Sequence, residues 1–309
     1  MTLDTVGAES PSDRAAEANE PLSATRAKTA QPSRSGSISI LLHDVSGNLT
    51  FPSVPFSLSW SSPMLEVRTN QQEHTMLDIR PFSSLGHANH GWLDARHHFS
   101  FAGYMDRHRM HWGRLRVWND DRIEGGTGFG AHPHKDMEII TYVRTGAISH
   151  EDSLGNKGRT EAGDVQVMSA GSGIVHAEFN KETEDTTLFQ IWIVPNETGG
   201  TPGWGTRPFP KDARNGRFVT LASGFRGDDA LPIRAEARVL GATLKAGETL
   251  TFETRRENFS YLVPATGSLE IEGKTIATRD GAALTDVERI VMTAKEDAEI
   301  VLVESGPLD

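Results

Sequence analysis

The sequence predicts an all-β protein whose strands close into barrels or sandwiches. From Met76 onward, short apolar strand patterns follow one another and glycine-containing turns separate them. Long helical periodicity is nearly absent from the same part of the chain. Many short strands with turn residues between them are typical of closed antiparallel folds, because closure leaves no unpaired sheet edge. We therefore expect a β fold with little helix.

The strands are clearest between residues 115 and 194. Four segments have the length and the β-branched or aromatic composition of buried strands: Leu115–Trp118, Glu138–Val143, Val165–Met168 and Leu188–Val194. Turns are predicted between them from clusters of Asn, Asp and Gly: Asn119–Asp121, Arg144–Gly146 and Ala162–Asp164.

The C-terminal part repeats this pattern of short strands and glycine turns, which predicts a duplicated barrel. Tyr261–Gly267 is similar to Tyr142–Gly146, with a strand and a glycine turn in the same order. The Pro- and Gly-rich stretch Pro195–Pro210 is the expected linker. We predict a first barrel at 76–205 and a second barrel at 206–309.

The N-terminal quarter has a different composition. Residues 1–36 are rich in Ala, Ser, Thr, Glu and Pro, so they offer too little apolar surface to offset the entropy of ordering. Residues 37–75 contain short apolar pieces without companion strands. We expect 1–75 to be a disordered or poorly structured extension, either an appendage or an upstream misassigned start.

Composition excludes several classes of protein. The formal net charge of −11 argues against direct nucleic-acid binding, which needs a basic face. The chain contains no cysteine, so any metal must be held by His, Asp or Glu. No apolar run approaches the roughly 18 residues of a membrane span, and no secretion signal is recognised. We expect a cytoplasmic protein, and a monomer.

The candidate site combines two pairs of metal-binding residues. All 12 histidines lie between His43 and His176. His132 and His134 are spaced by two, as are His176 and Glu178, and residues so spaced on a strand share one face. Two such pairs facing each other across a barrel would offer three imidazoles and one carboxylate. On the same spacing, Glu138 could share the face of His132 and His134.

This donor set suits a first-row divalent ion with open coordination positions. Iron, nickel, copper, cobalt and zinc all accept three nitrogens and one oxygen, so the residues alone do not select the metal. Calcium fits badly with three histidines. A closed structural zinc site has enough ligands but no thiolate, and a barrel does not need it.

Together the two pairs resemble the two motifs of the cupin family. The matching residues are Gly126, His132, His134, Glu138 and Gly146 in the first motif, and Gly163, Gly171, His176 and Asn180 in the second. Ser169 stands where the motif has proline, and four residues rather than two separate Gly171 from His176. These departures indicate a branch of the family.

That branch resembles the pirin family, a group of proteins with two cupin barrels. The resemblance covers most of 76–195, is loose over 206–309 and does not extend to 1–75. It is carried by seven segments: Gly86–Trp92, His98–Ala102, Leu115–Asp121, His132–Glu138, Asp152–Asn156, Met168–His176 and Gln190–Ile193.

The resemblance implies metal ligands at His132, His134, His176 and Glu178. It also implies that Glu138, in the usual cupin glutamate position, lies beside the metal without binding it. Bacterial relatives of this type are associated with quercetin 2,3-dioxygenase activity, which implies one divalent metal, Fe(II) first, with a flavonol and O2 as substrates. Glu178 is then the expected catalytic base.

Two other interpretations remain open at this point. An iron-dependent regulator that binds a protein partner would carry the same ligands, and so would a metal-binding barrel without chemistry. We also expect His87, His90, His97, His98, His108 and His111 to be hydrogen-bonding residues at the barrel mouth. His150 is expected to be exposed, and the second barrel, which lacks histidine, to be structural.

Overall fold

The computed structural model describes residues 76–308, so the predicted extension at 1–75 lies outside the described residues. The predicted all-β class with two cupin barrels is confirmed. Within 76–308 the only helical elements are two short 3-10 turns, Phe82–Ser84 and Lys211–Arg214. No helix in this part of the chain is long and apolar enough to cross a membrane.

The first twelve strands run from the start of the described region to the linker. They are β1 Met76–Arg80, β2 Gly86–Asn89, β3 Leu93–His97, β4 Leu115–Ile123, β5 Gly128–His134, β6 Glu138–Thr145, β7 Ala147–Asp152, β8 Lys157–Glu161, β9 Val165–Ser169, β10 Ile174–Phe179, β11 Thr186–Ile193 and β12 Gly203–Arg207.

The remaining ten strands build the second barrel. They are β13 Val219–Ser223, β14 Leu231–Pro232, β15 Ala237–Leu244, β16 Thr249–Glu253, β17 Phe259–Thr266, β18 Leu269–Ile271, β19 Lys274–Ile276, β20 Gly281–Thr285, β21 Arg289–Ala294 and β22 Ala298–Ser305.

The two barrels have the same strand order. The first combines the sheet β12-β9-β6-β11-β4-β3-β2 with the sheet β5-β10-β7-β8. The second combines β1-β20-β17-β22-β15-β13-β14 with β16-β21-β18-β19. The eight strands β4–β11 therefore have the same order as β15–β22, as expected for a duplicated unit, whereas the ends of the large sheets differ: β4 is followed by β3 and β2, and β15 by β13 and β14.

One edge strand of each large sheet comes from outside its own barrel segment. Strand β1 pairs with β20 along its whole length, so Met76–Arg80 belongs to the second barrel rather than to the first, where the sequence placed it. Strand β12 pairs with β9 and continues to Arg207, across the predicted boundary at 205. Both strands cover a sheet edge that would otherwise expose unpaired backbone groups.

Strand β4 is longer than the sequence predicted. The turn expected at Asn119–Asp121 is wrong, because these residues continue the strand to Ile123. Their polar side chains are buried. The carboxylate of Asp120 binds Arg144 and Arg279 between the barrels, while the Oδ1 of Asn119 accepts a 2.8 Å hydrogen bond from the Nδ1 of His97.

The second barrel packs against the first through a shared core. The ring centroid of Trp118 lies 5.3 Å from that of Phe189 and 5.6 Å from that of Tyr261. Aliphatic side chains of both barrels surround these three rings. A buried polar group crosses the same interface. Glu299 of the second barrel accepts a hydrogen bond from the hydroxyl of Tyr142. The interface is thus continuous with the interiors of both domains.

The two barrels differ in the polarity of their interior side chains. One row of neighbouring residues across four strands of the first barrel is buried and polar: Asn119, Gln190, Thr141 and Gln166. The corresponding row of the second barrel is buried and apolar: Leu240, Leu302, Leu262 and Ala282. Polar side chains buried in this way need hydrogen-bond partners, so the first barrel is organised around a polar centre.

Candidate metal centre

The three predicted histidine ligands lie on two paired strands. His132 and His134 are on β5, and His176 is on β10, directly opposite His132 in the antiparallel register. Alternation along β5 gives His132 and His134 the same face. Between His176 and Glu178 the register with β5 shifts, so Glu178 lies opposite Phe129. The shift advances Glu178 along the barrel, away from the two histidines of β5.

The imidazoles converge on one another. The ring centroids are separated by 4.5 Å for His132 and His176, 4.7 Å for His132 and His134, and 4.9 Å for His134 and His176. One nitrogen of each ring lies within 4.8 Å of one nitrogen of each of the others. The three side chains therefore form a compact group inside the barrel.

The hydrogen-bond partners of these histidines indicate which ring nitrogens are available to bind a cation. The Nδ1 of His132 lies 2.7 Å from the carbonyl of Gly130, which can only accept, so His132 carries its proton there and has a lone pair at Nε2. That Nε2 lies 3.1 Å from the Nε2 of His176. The Nδ1 of His134 is buried without a partner. Two buried imidazoles and the partly exposed His132 fit a first-row divalent ion.

The surroundings favour the neutral form of His134 and His176. Burial lowers the pKa of His134 to about 3, and a positive charge on neighbouring His132 would lower it further. Burial also lowers the pKa of His176, with added effects of His132, His134 and His150. A neutral imidazole has a lone pair to donate, so His134 and His176 are in their metal-binding form at neutral pH.

Glu178 is buried in a separate set of hydrogen bonds. Its Oε1 accepts from the side-chain amide of Gln166 and, at 3.3 Å, from the hydroxyl of Thr141. Its Oε2 accepts from the amide of Gln190 at 2.6 Å. The carboxylate lies within 4.8 Å of nitrogens of His176 and His150, and forms its own potential ligand group with them. Among the described residues, it does not join the close group of His132 and His134.

Glu138 lies at the start of β6 and does not share the face of the histidines of β5. The chain turns between them, since Asp136 has a φ of 50°. The hydroxyl of Ser169 donates to the Oε2 of Glu138 at 2.6 Å, and burial raises the pKa of the Glu138 carboxyl. Ser169 is the residue that replaces the motif proline. The replacement supplies a hydrogen-bond donor that proline lacks.

His150 was predicted to be exposed, and this is wrong. It is 1% exposed on β7, and its register partner on β10 is Glu178. Its Nε2 lies 3.1 Å from Asp152, and its Nδ1 lies 3.4 Å from the Nδ1 of His176. One signal was present in the sequence. Ile148 is apolar and lies two residues earlier, so alternation turns both side chains inward.

The histidines before the first motif have mixed environments. His87 forms an exposed pair with Asp94, which fits the expectation for the mouth of the barrel. His98 instead lies fully buried between the barrels, with its Nδ1 2.9 Å from the hydroxyl of Tyr261. The sequence placed it at the mouth because it could not show the position of the second barrel.

Aromatic side chains surround the histidine group. The indole of Trp192 contacts His134 edge-on at 5.0 Å, and Phe129 lies 6.2 Å from His132. An open groove of about 390 Å³ extends to His134. It is lined by Pro133, His134, Lys135, Ser153, Gly173, Ile174 and Val175.

Comparisons with known proteins agree with this architecture. Residues 78–193 match the family model described as Pirin, and residues 220–304 match the model described as the quercetinase C-terminal cupin domain. The first match contains the histidine group, and the second contains most of the second barrel.

Individual relatives cover the described region. A pirin-like protein of Caulobacter vibrioides is 64% identical over 232 residues, which are 75% of this chain and 100% of the relative. A quercetin 2,3-dioxygenase of Escherichia coli is 42% identical over 234 residues, 75% of this chain and 100% of the relative.

Solved structures give the same result. The bacterial pirin YhhW of Escherichia coli, in complex with nickel(II), is 40% identical with a TM-score of 0.71, and the match covers 75% of this chain and 100% of that chain. The fold, the paired family models and the relatives of this identity lead to one assignment: the chain belongs to the pirin family.

Proposed function

We propose that the protein is a metal-dependent dioxygenase that cleaves a flavonol such as quercetin with O2, releasing carbon monoxide and a depside ester. The metal ligands in this proposal are His132, His134, His176 and Glu178. The observation that carries it is the convergence of three imidazoles, with the Nε2 atoms of His132 and His176 3.1 Å apart. The names of the 42% identical relative and of others support the substrate class.

One divalent cation occupies this group, and the nickel complex of the related YhhW supports such a site. We propose Fe(II) as the native metal, with nickel, copper, cobalt and zinc as ions that the same ligands accept. When bound, the metal acts as a Lewis acid that favours the ionised 3-hydroxyl of the flavonol and orients its ring.

Glu178 takes the proton of the flavonol 3-hydroxyl. Its Oε1 already accepts two hydrogen bonds, whereas its Oε2 accepts one, from Gln190. A carboxylate oxygen has two lone pairs, so the remaining capacity of Glu178 is on Oε2. Oε2 is thus the atom through which Glu178 would hold a metal or take up the substrate proton.

Aromatic residues support the binding of a flat substrate. Trp192 packs against His134, and Phe101 packs edge-on against Trp192 at 5.4 Å. On the other side, Trp92 and Phe129 form an edge-on pair at 5.1 Å, with Phe129 near His132. A polycyclic ligand next to the histidines would meet apolar walls, which exclude water from the ionised substrate.

The experiment is anaerobic incubation of the iron(II)-loaded protein with quercetin, followed by air. We expect loss of the flavonol absorbance and release of one carbon monoxide per flavonol. His134→Ala is the matched control, since it removes a ligand and should lose both signals. Metal-loaded protein that yields neither carbon monoxide nor bleaching would refute the dioxygenase and favour the iron-dependent regulator that binds a protein partner.

A further inference from the structure

A chain of three buried side chains leads away from the histidine group. It runs from the Nδ1 of His176 to the Nδ1 of His150 at 3.4 Å, and from the Nε2 of His150 to the Oδ2 of Asp152 at 3.1 Å. The side chains of His150 and Asp152 are both 0% exposed. Asp152 lies opposite His176 in the pairing of β7 with β10, and its carboxylate contacts the ring of His150.

The donors around Asp152 fix the direction of the hydrogen bonds that link Asp152, His150 and His176. Its Oδ1 accepts the backbone N–H groups of Leu154 and Asn156 at 2.9 and 3.0 Å, and its Oδ2 accepts the side-chain amide of Asn156 at 2.9 Å. A carboxylate in this setting only accepts, so the Nε2 of His150 must donate to it. The Nδ1 of a neutral His150 then has a lone pair, and the Nδ1 of His176 must donate to that lone pair.

This order of protons decides which nitrogen of His176 can bind a metal. With its proton at Nδ1, His176 has a lone pair at Nε2, and this is the atom that lies 3.1 Å from the Nε2 of His132. The opposite tautomer would point an N–H at the metal. Metal-binding histidines commonly donate their second N–H to a fixed acceptor, which sets both tautomer and ring orientation.

We propose that Asp152 and His150 are positioning residues that hold His176 in its metal-binding tautomer. The inference rests on the proposed metal site at His132, His134 and His176, and it adds two residues that act through His176 without touching the metal. His150 is suited to this role because the indole of Trp204 stacks on its ring at 4.8 Å with an interplanar angle of 9°.

The geometry distinguishes this role from that of a fourth nitrogen ligand. Both ring nitrogens of His150 are engaged, one with Asp152 and one with His176. The Nδ1 of His150 faces the Nδ1 of His176, whereas His132 lies at the opposite nitrogen of that ring. The nitrogen of His176 that faces His132 is therefore not the nitrogen that faces His150.

The test uses two variants and a matched control. Asp152→Asn keeps the shape of the side chain but places an NH2 group among donors, which favours a reversed proton order along the chain. His150→Phe keeps an aromatic ring under Trp204 but removes the acceptor for His176. His87→Phe is the control, because His87 forms an equivalent pair with Asp94 at 3.0 Å on the exposed face of β2.

The first readout is the dissociation constant of Ni(II), measured by competition with a chelator on folded protein. We expect Asp152→Asn and His150→Phe to weaken binding by about 10- to 100-fold, the range found for residues that orient metal ligands, and His87→Phe to leave it unchanged. Unchanged affinity in both test variants would overturn the inference. No binding by the parent protein would refute the proposed metal site instead.

The second readout needs no metal. Long-range ¹⁵N–¹H correlation NMR of the metal-free protein, labelled on histidine, distinguishes the two tautomers of each ring. We expect His176 as the Nδ1–H form in the parent and as the Nε2–H form in Asp152→Asn. A parent His176 in the Nε2–H form would overturn the inference. Because Asp152→Asn changes no heavy-atom volume, this measurement decides the question even where His150→Phe does not fold.

Discussion

Replacing Glu178 by glutamine should destabilise the metal-free protein, even though the two side chains have the same shape. Each carboxylate oxygen of Glu178 accepts from a different glutamine amide, Gln166 on one side and Gln190 on the other. A glutamine at 178 has only one acceptor oxygen. Its NH2 group would therefore face the NH2 group of one neighbour, a contact of two donors inside the barrel.

The neighbouring amides cannot simply rotate to relieve this contact. The Oε1 of Gln166 accepts the hydroxyl of Thr160 at 3.2 Å, and the Oε1 of Gln190 lies 3.4 Å from the indole N–H of Trp192. Loss of a buried hydrogen bond to a charged group costs about 1.5–3 kcal/mol. In a domain of this size each kcal/mol lowers Tm by roughly 2–4 °C, so the expected decrease is about 3–12 °C.

Thermal unfolding of the metal-free variants measures this effect. The double variant Glu178→Gln with Gln190→Glu restores one donor to one acceptor, so it should recover part of the lost stability. Glu253→Gln, on the exposed edge of the second barrel, should leave Tm unchanged. Equal Tm values for Glu178→Gln and the parent would refute the donor arrangement. Turnover by Glu178→Gln therefore has to be compared with the double variant as well as with the parent.

Three further predictions follow from the structure. Gly281→Ala should destabilise the protein by roughly 1–3 kcal/mol, the range of other overpacked cores, because its Cβ would lie 2.0 Å from the hydroxyl of Tyr261 and 2.8 Å from the Nδ1 of His98. Gly103→Ala, with no heavy atom within 4 Å, is the control in the same unfolding assay. Burial and the charge of Arg279 lower the pKa of His98 from 6.5 to about 3. The free energy of unfolding should therefore be unaffected by His98 above pH 6.5 and should decrease as the pH falls from 6.5 towards 3. The expected loss is about 3 kcal/mol at pH 4.5, and a flatter pH profile in urea unfolding is expected for His98→Gln. Ni(II) at 100 times its dissociation constant should stabilise the parent by about 2.7 kcal/mol, and a chelator should reverse this; a Tm of His132→Ala that rises equally would contradict the site.

The polar environment of Glu178 could not be predicted from the sequence. Gln166 and Gln190 lie on β9 and β11, and the sequence marks them only as polar residues in apolar strands. Their common position follows from two registers, Gln190 with Thr141 and Thr141 with Gln166. Register is set by long-range pairing and packing, which single-strand patterns do not encode.

The same limit explains the error at His150. Its spacing from Asp152 was visible, but its burial depends on the pairing of β7 with β10 and on Trp204 from the linker strand β12. The placement of β1 failed for a related reason. Its partner β20 is about two hundred residues away in the chain, so no local pattern could identify it.

The sequence alone determined the all-β class and the chemistry of the donor set. Alternation along a strand is a local property, so His132 and His134 had to share a face once β5 formed. The absence of histidine after His176 likewise excluded an imidazole site built from the second barrel's own segment. Only the tertiary structure decided that β10 pairs with β5, that the register shift after His176 places Glu178 opposite Phe129, and that His150 is buried beside His176. Those facts depend on contacts between strands far apart in the chain, whose free energy comes from packing and hydrogen bonding across the whole barrel.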